Sequence, residues 1–378
     1  MKMKRIIFIL MAFICCTECT RTQQSGNTIY VDIDRPDKAS LFDYFRSVEL
    51  IPLETDANVL MKYVSKIVYY QDRYYTFDMS QAIIFVFDRQ GKYLFKINKR
   101  GKGPGEYDFV QDININPFSG NLELLTPYGL IYEYDLSGNF VKRERVSYPN
   151  FHAVHQVAIV NKDLYVFYSM FELKKIIYYN LSKKELLHEE HDEDMEIGSF
   201  GYDNLYSYHD EWYFFRPFHT SVYKVGNEHL EESFRFDLGK YTREGRKLHI
   251  SDEAVRNPRT KFNEEAFAQY PYWIRRVGHN NQYVLAQLSW GEKDNLVNIM
   301  YDKSKGKSKY IPKFAEDVIF EPVKVTDEYV LAWCLWEDLE KYIKPEMLDA
   351  PQKDIFEKLI QSPIETNPVL IKYYFKQK

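Results

Sequence analysis

Six copies of one pattern divide this sequence. Short apolar and aromatic runs begin at Arg73, Asn121, Asp163, Glu211, Gln282 and Glu328, at intervals of 48, 42, 48, 71 and 46 residues. Arg73-Tyr74-Tyr75-Thr76-Phe77 and Glu211-Trp212-Tyr213-Phe214-Phe215 are representative. A second run follows each, as in Ile84-Phe85-Val86-Phe87-Asp88 and Ile131-Tyr132-Glu133-Tyr134-Asp135. In these two copies an Asp-x-x-Gly turn follows, through Gly91 and Gly138. A period of roughly 45 residues built from short strands marks a β-propeller with four strands to a blade. Six copies therefore predict an all-β, six-bladed ring, with one interval enlarged by an insertion. A four-stranded sheet cannot bury two faces alone, so blades pack face to face. The 32 Tyr and 26 Phe supply the filling.

Only five outer strands fit between the second runs and the end of the chain at Lys378. The segment Thr28-Ile29-Tyr30-Val31-Asp32-Ile33 is expected to supply the sixth, closing the ring from the N-terminal side beside the last blade. Such closure removes an exposed edge that would pair with other chains.

Ahead of the ring, Lys2, Lys4 and Arg5 precede an apolar run from Ile6 to Ile14. Nine residues are too few to cross about 30 Å of hydrocarbon as a helix, so the segment reads as a secretory signal. Cys15, Cys16 and Cys19 crowd its end and Cys334 stands alone, which is no disulfide framework. Cysteines so placed resemble the lipid-attachment site of bacterial lipoproteins, with Cys16 or Cys19 the acylated residue. Residues 1–19 thus read as the signal and lipid-attachment region, 20–27 as a linker and 28–378 as the propeller. The expected location is the bacterial cell envelope, with the membrane reached only through a lipid anchor. A net charge of −5 without basic runs argues against a nucleic-acid partner.

Beyond the first Asp-x-x-Gly turn comes Arg100-Gly101-Lys102-Gly103-Pro104-Gly105-Glu106-Tyr107. Behind a Phe-Asp-x-x-Gly-Lys turn, this loop resembles the signature of the bacterial six-bladed β-propeller lipoproteins, relatives of the NHL-repeat propellers. The resemblance covers about residues 28–378, and later blades keep only fragments, at Gly226 and Lys305-Gly306. It implies a fold and an exported location, and no established reaction. Read alone, the glycines permit a tight turn with positive φ, and Glu106 is placed to accept backbone N–H bonds within it.

Strand alternation then sorts loops onto faces. With strands labelled a to d from the axis outward, b–c loops and d-to-next-a connections share one face. Two long insertions fall there, about 238–267 between blades four and five and about 337–367 within blade six. The second carries apolar residues at three- and four-residue steps between Pro345, Pro351 and Pro363, so it reads as helical. Long insertions in a compact fold often carry function. This elaborated face is therefore the expected binding surface, with Lys102, Glu106, Arg216, His219, Trp290 and Trp336 as contacts. Exposed Trp beside Arg and carboxylates suits a saccharide, a peptide or an envelope protein. The competing reading of Trp290 and Trp336 is packing between blades.

The mouth of the pore offers a rival site. Aligned a strands bring Ser65, Asp112, His155, Asp203, Arg275 and Asp317 near the axis. Of these, Asp112, His155, Asp203 and Asp317 have the chemistry to hold a hard divalent cation such as calcium, which would serve a metal-dependent hydrolase or lyase. Hydrated pore lining is the plainer reading. Other motifs fail: Gly306-Lys307-Ser308 lacks the first glycine of a phosphate loop, and no Gly-x-Ser-x-Gly elbow occurs. The run from His188 to Asp194 reads as solvated charge.

Overall fold

The computed structural model describes residues 27–147, 154–169, 174–191, 203–242, 249–256, 261–292, 294–362 and 365–377. Its strands form six sheets around an axis. From the axis outward, blade one is Lys66–Tyr70, Arg73–Asp78, Ile83–Asp88 and Tyr93–Ile97. Blade two is Asp112–Ile115, Leu122–Leu125, Leu130–Tyr134 and Phe140–Arg145, and blade three is Val154–Ile159, Leu164–Ser169, Lys174–Asn180 and Glu185–His191. Leu205–Tyr208, Glu211–Phe215, Ser221–Val225 and Leu230–Asp237 form blade four. Tyr272–His279, Tyr283–Trp290, Leu296–Asp302 and Lys307–Ile311 form blade five. Each b strand begins within one residue of the start read from the repeat.

The Asp-x-x-Gly turns have a simple cause. Oδ1 of Asp88 accepts the N–H groups of Gln90 and Lys92, both at 2.9 Å, which bends the chain without a partner strand. Gly91 then takes φ +84°, and a Cβ there would stand 2.3 Å from the carbonyl oxygen of Pro52. Only glycine fits.

Between blades, aromatic and branched side chains interdigitate as expected. Tyr75, Phe77 and Val86 of blade one meet Ile113, Leu124 and Tyr132 of blade two in one buried cluster. Burial of such side chains contributes about 1.5–3 kcal/mol each. Cys334 is a small buried hydrophobe, and burial pushes its thiol far above the ordinary range.

Closure differs from the expected segment. Blade six is Lys324–Val325, Tyr329–Cys334, Val369–Phe375 and, outermost, Phe45–Pro52. The ring is closed from the N-terminal side, but by 45–52 pairing antiparallel with the last strand. Thr28–Tyr30 instead adds a fifth strand to blade four, parallel to Leu230–Asp237. The chain between them runs past the outer strand of blade five, where Asp37 donates its N–H to the carbonyl of Tyr310 at 2.7 Å. Both segments carry alternating apolar residues. Both bury those residues where they lie, and the longer one takes the closing position, pairing along Phe45–Pro52 where Thr28–Tyr30 pairs over three residues only.

Both long insertions contain helices. Asp252–Arg256 and Lys261–Gln269 lie before blade five, and Ala350–Ile360 lies within blade six. Asp349 caps the latter by accepting the N–H of Gln352 at 3.1 Å. Among the described residues no helix is long and apolar enough to cross a membrane. Cys16, Cys19 and the signal segment lie outside the described residues.

Candidate functional site

Charge lines the axis. The Lys66 ammonium reaches Oδ1 of Asp112 on blade two at 2.6 Å and Oδ1 of Asn114 at 3.2 Å. Oδ2 of Asp112 accepts the N–H of Val157 on blade three and Nδ2 of Asn114, both at 3.0 Å. Only an ionised carboxylate satisfies so many donors, although burial pushes its pKa up. Burial also works against the Lys66 ammonium, and Asp112 with Asp203 more than offsets it, leaving that pKa raised. Asp203 stands 3.8 Å from Lys66 and accepts Nε2 of Gln156 at 3.0 Å. One network thus ties the inner edges of blades one to four.

Lys324 opens the a strand of blade six. Its ammonium donates to the carbonyl and, at 2.9 Å, to Oγ of Ser207. Burial, and then the charge of Lys66, pushes its pKa down to about 8. Lys66, Asp203, Ser207 and Lys324 line one cavity of about 340 Å³, whose walls continue as Tyr69, Tyr70 and Trp212. His209, Asp210 and Thr326, at or beside a–b turns, mark its mouth on the face opposite the insertions.

The four residues considered for a divalent cation do not converge. Asp112 and Asp203 are joined through Lys66. His155 is buried, and burial pushes its pKa down to about 4, so the ring is neutral at pH 7. Asp317 is not at the axis. It lies on the connection from blade five to blade six, its side chain 70% exposed and 2.5 Å from Lys313. The a strand there is only two residues, Lys324–Val325, and Asp317 falls well ahead of it. Of the other expected axial residues, Arg275 faces Glu321 at 3.7 Å, and Oγ of Ser65 accepts the N–H of Met79 at 3.0 Å. Among the described residues no three His, Cys, Asp or Glu side chains form a metal-binding group.

On the elaborated face, three connections enclose a cleft of about 740 Å³. The b–c turn of blade five supplies Asp294 and Asn295, the crossing to blade six supplies Lys313 and Asp317, and the helical insertion supplies Lys341 and Lys344. Lys341 pairs with Asp338 at 2.6 Å, and Lys344 donates to the carbonyl of Glu340 at 2.9 Å. Apolar side chains, Phe314, Ile319 and Phe320 among them, line the cleft beside these groups of mixed charge.

Topology puts Lys102, Glu106, Arg216, His219, Trp290 and Trp336 on this same face, spread over blades one, four, five and six. None of the six lines the cleft. Oε2 of Glu106 accepts the N–H of Gly103 at 2.7 Å, so it pins the glycine loop, beside which Lys102 is exposed. Trp290 packs edge-on to Tyr241 of the insertion ahead of blade five at 5.1 Å and near-parallel to Tyr272, its partner on the neighbouring strand of the same blade, at 6.5 Å. Trp336 is half-buried against the core between blades five and six. Arg216 lies over the ring of Phe214 at 5.9 Å, and His219 is half-buried on the following turn.

Lys66 and Lys324 emerge as axial residues only in the folded chain. Their signal was a single lysine opening an inner apolar strand, in Lys66-Ile67-Val68 and Lys324-Val325.

Fold and sites together define an all-β, six-bladed propeller with a charged axis and one elaborated face. The chain belongs to the family described as Domain of unknown function (DUF4934), whose model matches residues 27–374. It is similar in fold to a crystal structure of a candidate exported protein from Bacteroides fragilis, at 14% identity and TM-score 0.70, covering 93% of this chain and 99% of that one. It also resembles a DUF4221 family member from Bacteroides vulgatus, at 11% identity and TM-score 0.52, covering 88% of this chain and 98% of that one. No curated protein matches the sequence.

Proposed function

We propose that this chain is an exported, lipid-anchored binding propeller that takes a saccharide or a peptide segment in the cleft between blades five and six. The observation that carries this reading is the convergence of three connections, one of them the helical insertion of blade six, on one cleft of about 740 Å³. Pockets of several hundred Å³ are the usual size for small ligands and for short stretches of a polymer. Mixed charge from Lys341, Lys344 and Asp294 beside apolar Phe314 and Ile319 suits a ligand that carries polar groups and some apolar surface, as a saccharide ring or a peptide does. Export is supported by the signal-like segment, by the lipoprotein resemblance of the Gly101–Tyr107 loop, and by the description of the Bacteroides fragilis relative.

Two measurements test the reading. Cys16→Ser and Cys19→Ser variants are fractionated, and one of them is expected to release the protein from the membrane. Glycan and peptide arrays then screen the mature domain, with Lys341→Glu and Lys344→Glu compared on any hit. A tenfold or larger loss on either substitution supports the cleft. Silent arrays, or hits that both variants bind as well as wild type, remove it.

A further inference from the structure

We propose that the axial cavity on the opposite, plain face is a second binding site, for a zwitterion with an apolar body such as a free α-amino acid bearing an aromatic side chain. The argument starts from charge placement. Asp112 and Asp203 with Lys66 form a pole of net charge −1, and Asp203 is the exposed member, its side chain 29% accessible against 2% for Asp112. Lys324 forms a pole of +1, and both of its hydrogen bonds go to Ser207. Ion pairing within 4 Å joins Lys66 to Asp203 and leaves Lys324 without a carboxylate partner among the described residues. Two opposite charges thus border one cavity of about 340 Å³ and act on each other only at longer range than a direct ion pair.

A buried charge is stabilised by a partner, and here a partner of each sign is wanted. A carboxylate would take the third N–H of Lys324 and the hydroxyl proton of Ser207, which itself only accepts from Lys324. An ammonium would take the free face of Asp203. Between the poles and the mouth, Tyr69, Tyr70 and Trp212 present ring surface to an apolar body. The lowered pKa of Lys324 fits an ammonium held ready for an anion. This site is independent of the cleft on the elaborated face.

The test uses the mature domain and three probes in calorimetric titration: L-phenylalanine, hydrocinnamate, which lacks the amine, and phenethylamine, which lacks the carboxylate. Wild type is expected to bind phenylalanine at least tenfold more tightly than either one-charge analogue. Lys324→Met should erase the preference over phenethylamine alone, and Asp203→Asn the preference over hydrocinnamate alone. Far-ultraviolet circular dichroism confirms that each variant is folded, and Ser207→Ala serves as a milder reporter of the basic pole if Lys324→Met is not. Equal binding of hydrocinnamate and phenylalanine by wild type would overturn the zwitterion assignment. No binding of any probe at millimolar concentration would overturn the site.

Discussion

The side-chain oxygen of Asn367 accepts the N–H of Met61 at 2.8 Å, across the seam where the ring closes. The same side chain donates to the carbonyls of Glu54 at 2.7 Å and Val59 at 2.6 Å, and is 1% exposed. One amide therefore fastens the connection into blade one to the start of the last strand. Asn367→Ala strands the buried N–H of Met61 and the buried carbonyl of Val59, each costing about 1–3 kcal/mol, together with the part-buried carbonyl of Glu54. A loss of about 3 kcal/mol or more in urea denaturation is expected. Asn367→Asp should cost at least as much, because a carboxylate cannot donate to either carbonyl. A loss below about 1 kcal/mol for both variants would show the clasp to be dispensable.

The identity of the closing strand is open to covalent test. Ser47 and Tyr374 are Cα partners in the antiparallel pair of Phe45–Pro52 with Val369–Phe375. Ser47→Cys with Tyr374→Cys is expected to oxidise to a disulfide, read as faster migration on a non-reducing gel. Ile29→Cys with Tyr374→Cys should not, since Ile29 pairs with Phe236 on blade four.

That contrast marks where the sequence stopped being informative. Ring size, blade order and the six b strands follow from a period of alternating aromatic residues, which local physics writes directly into the chain. Two N-terminal segments, 28–33 and 45–52, are both short and apolar. Choosing between them depends on pairing with residues more than 200 positions away, and no local propensity records that. The sites divide in the same manner. Asp112 and Asp203 were legible as polar residues at the inner-strand positions, whereas Asp317 was misplaced because blade six has so short an a strand. Lys66 is informative only once Asp112 is known to stand 2.6 Å away.

The Lys66–Asp112 pair should behave as a coupled unit. Both side chains are largely withdrawn from water, at 12% and 2% exposure. Removing one partner of a buried pair leaves an uncompensated charge and costs about 3–5 kcal/mol. Lys66→Met and Asp112→Asn are each expected to fall in that range by chemical denaturation. The double variant should lose less than the two singles combined, by about 1–3 kcal/mol, as contacting residues do. Strict additivity would mean that the pair is not coupled.

Lys324 makes a prediction about pH. Its pKa in the fold is about 8, against 10.5 for an ordinary lysine, and burial is the first cause. A depressed lysine pKa means that the unfolded chain binds the proton more tightly than the folded one. Between pH 8 and pH 10.5 the unfolded state therefore carries more protons, and the Lys324 contribution to stability rises with pH. Below pH 8 the full penalty applies, about 3 kcal/mol from the displacement of the pKa. Other lysines and tyrosines titrate in the same window, so the quantity to measure is wild type minus Lys324→Met. Denaturant unfolding at pH 7, 8, 9 and 10 should show Lys324→Met gaining on wild type at the low end. That advantage should shrink steadily as pH rises, once the lost bonds to Ser207 are taken as a constant offset. A difference that stays flat across the series would mean the ammonium is solvated after all, and a filled axial site would show the same flattening only when its ligand is added.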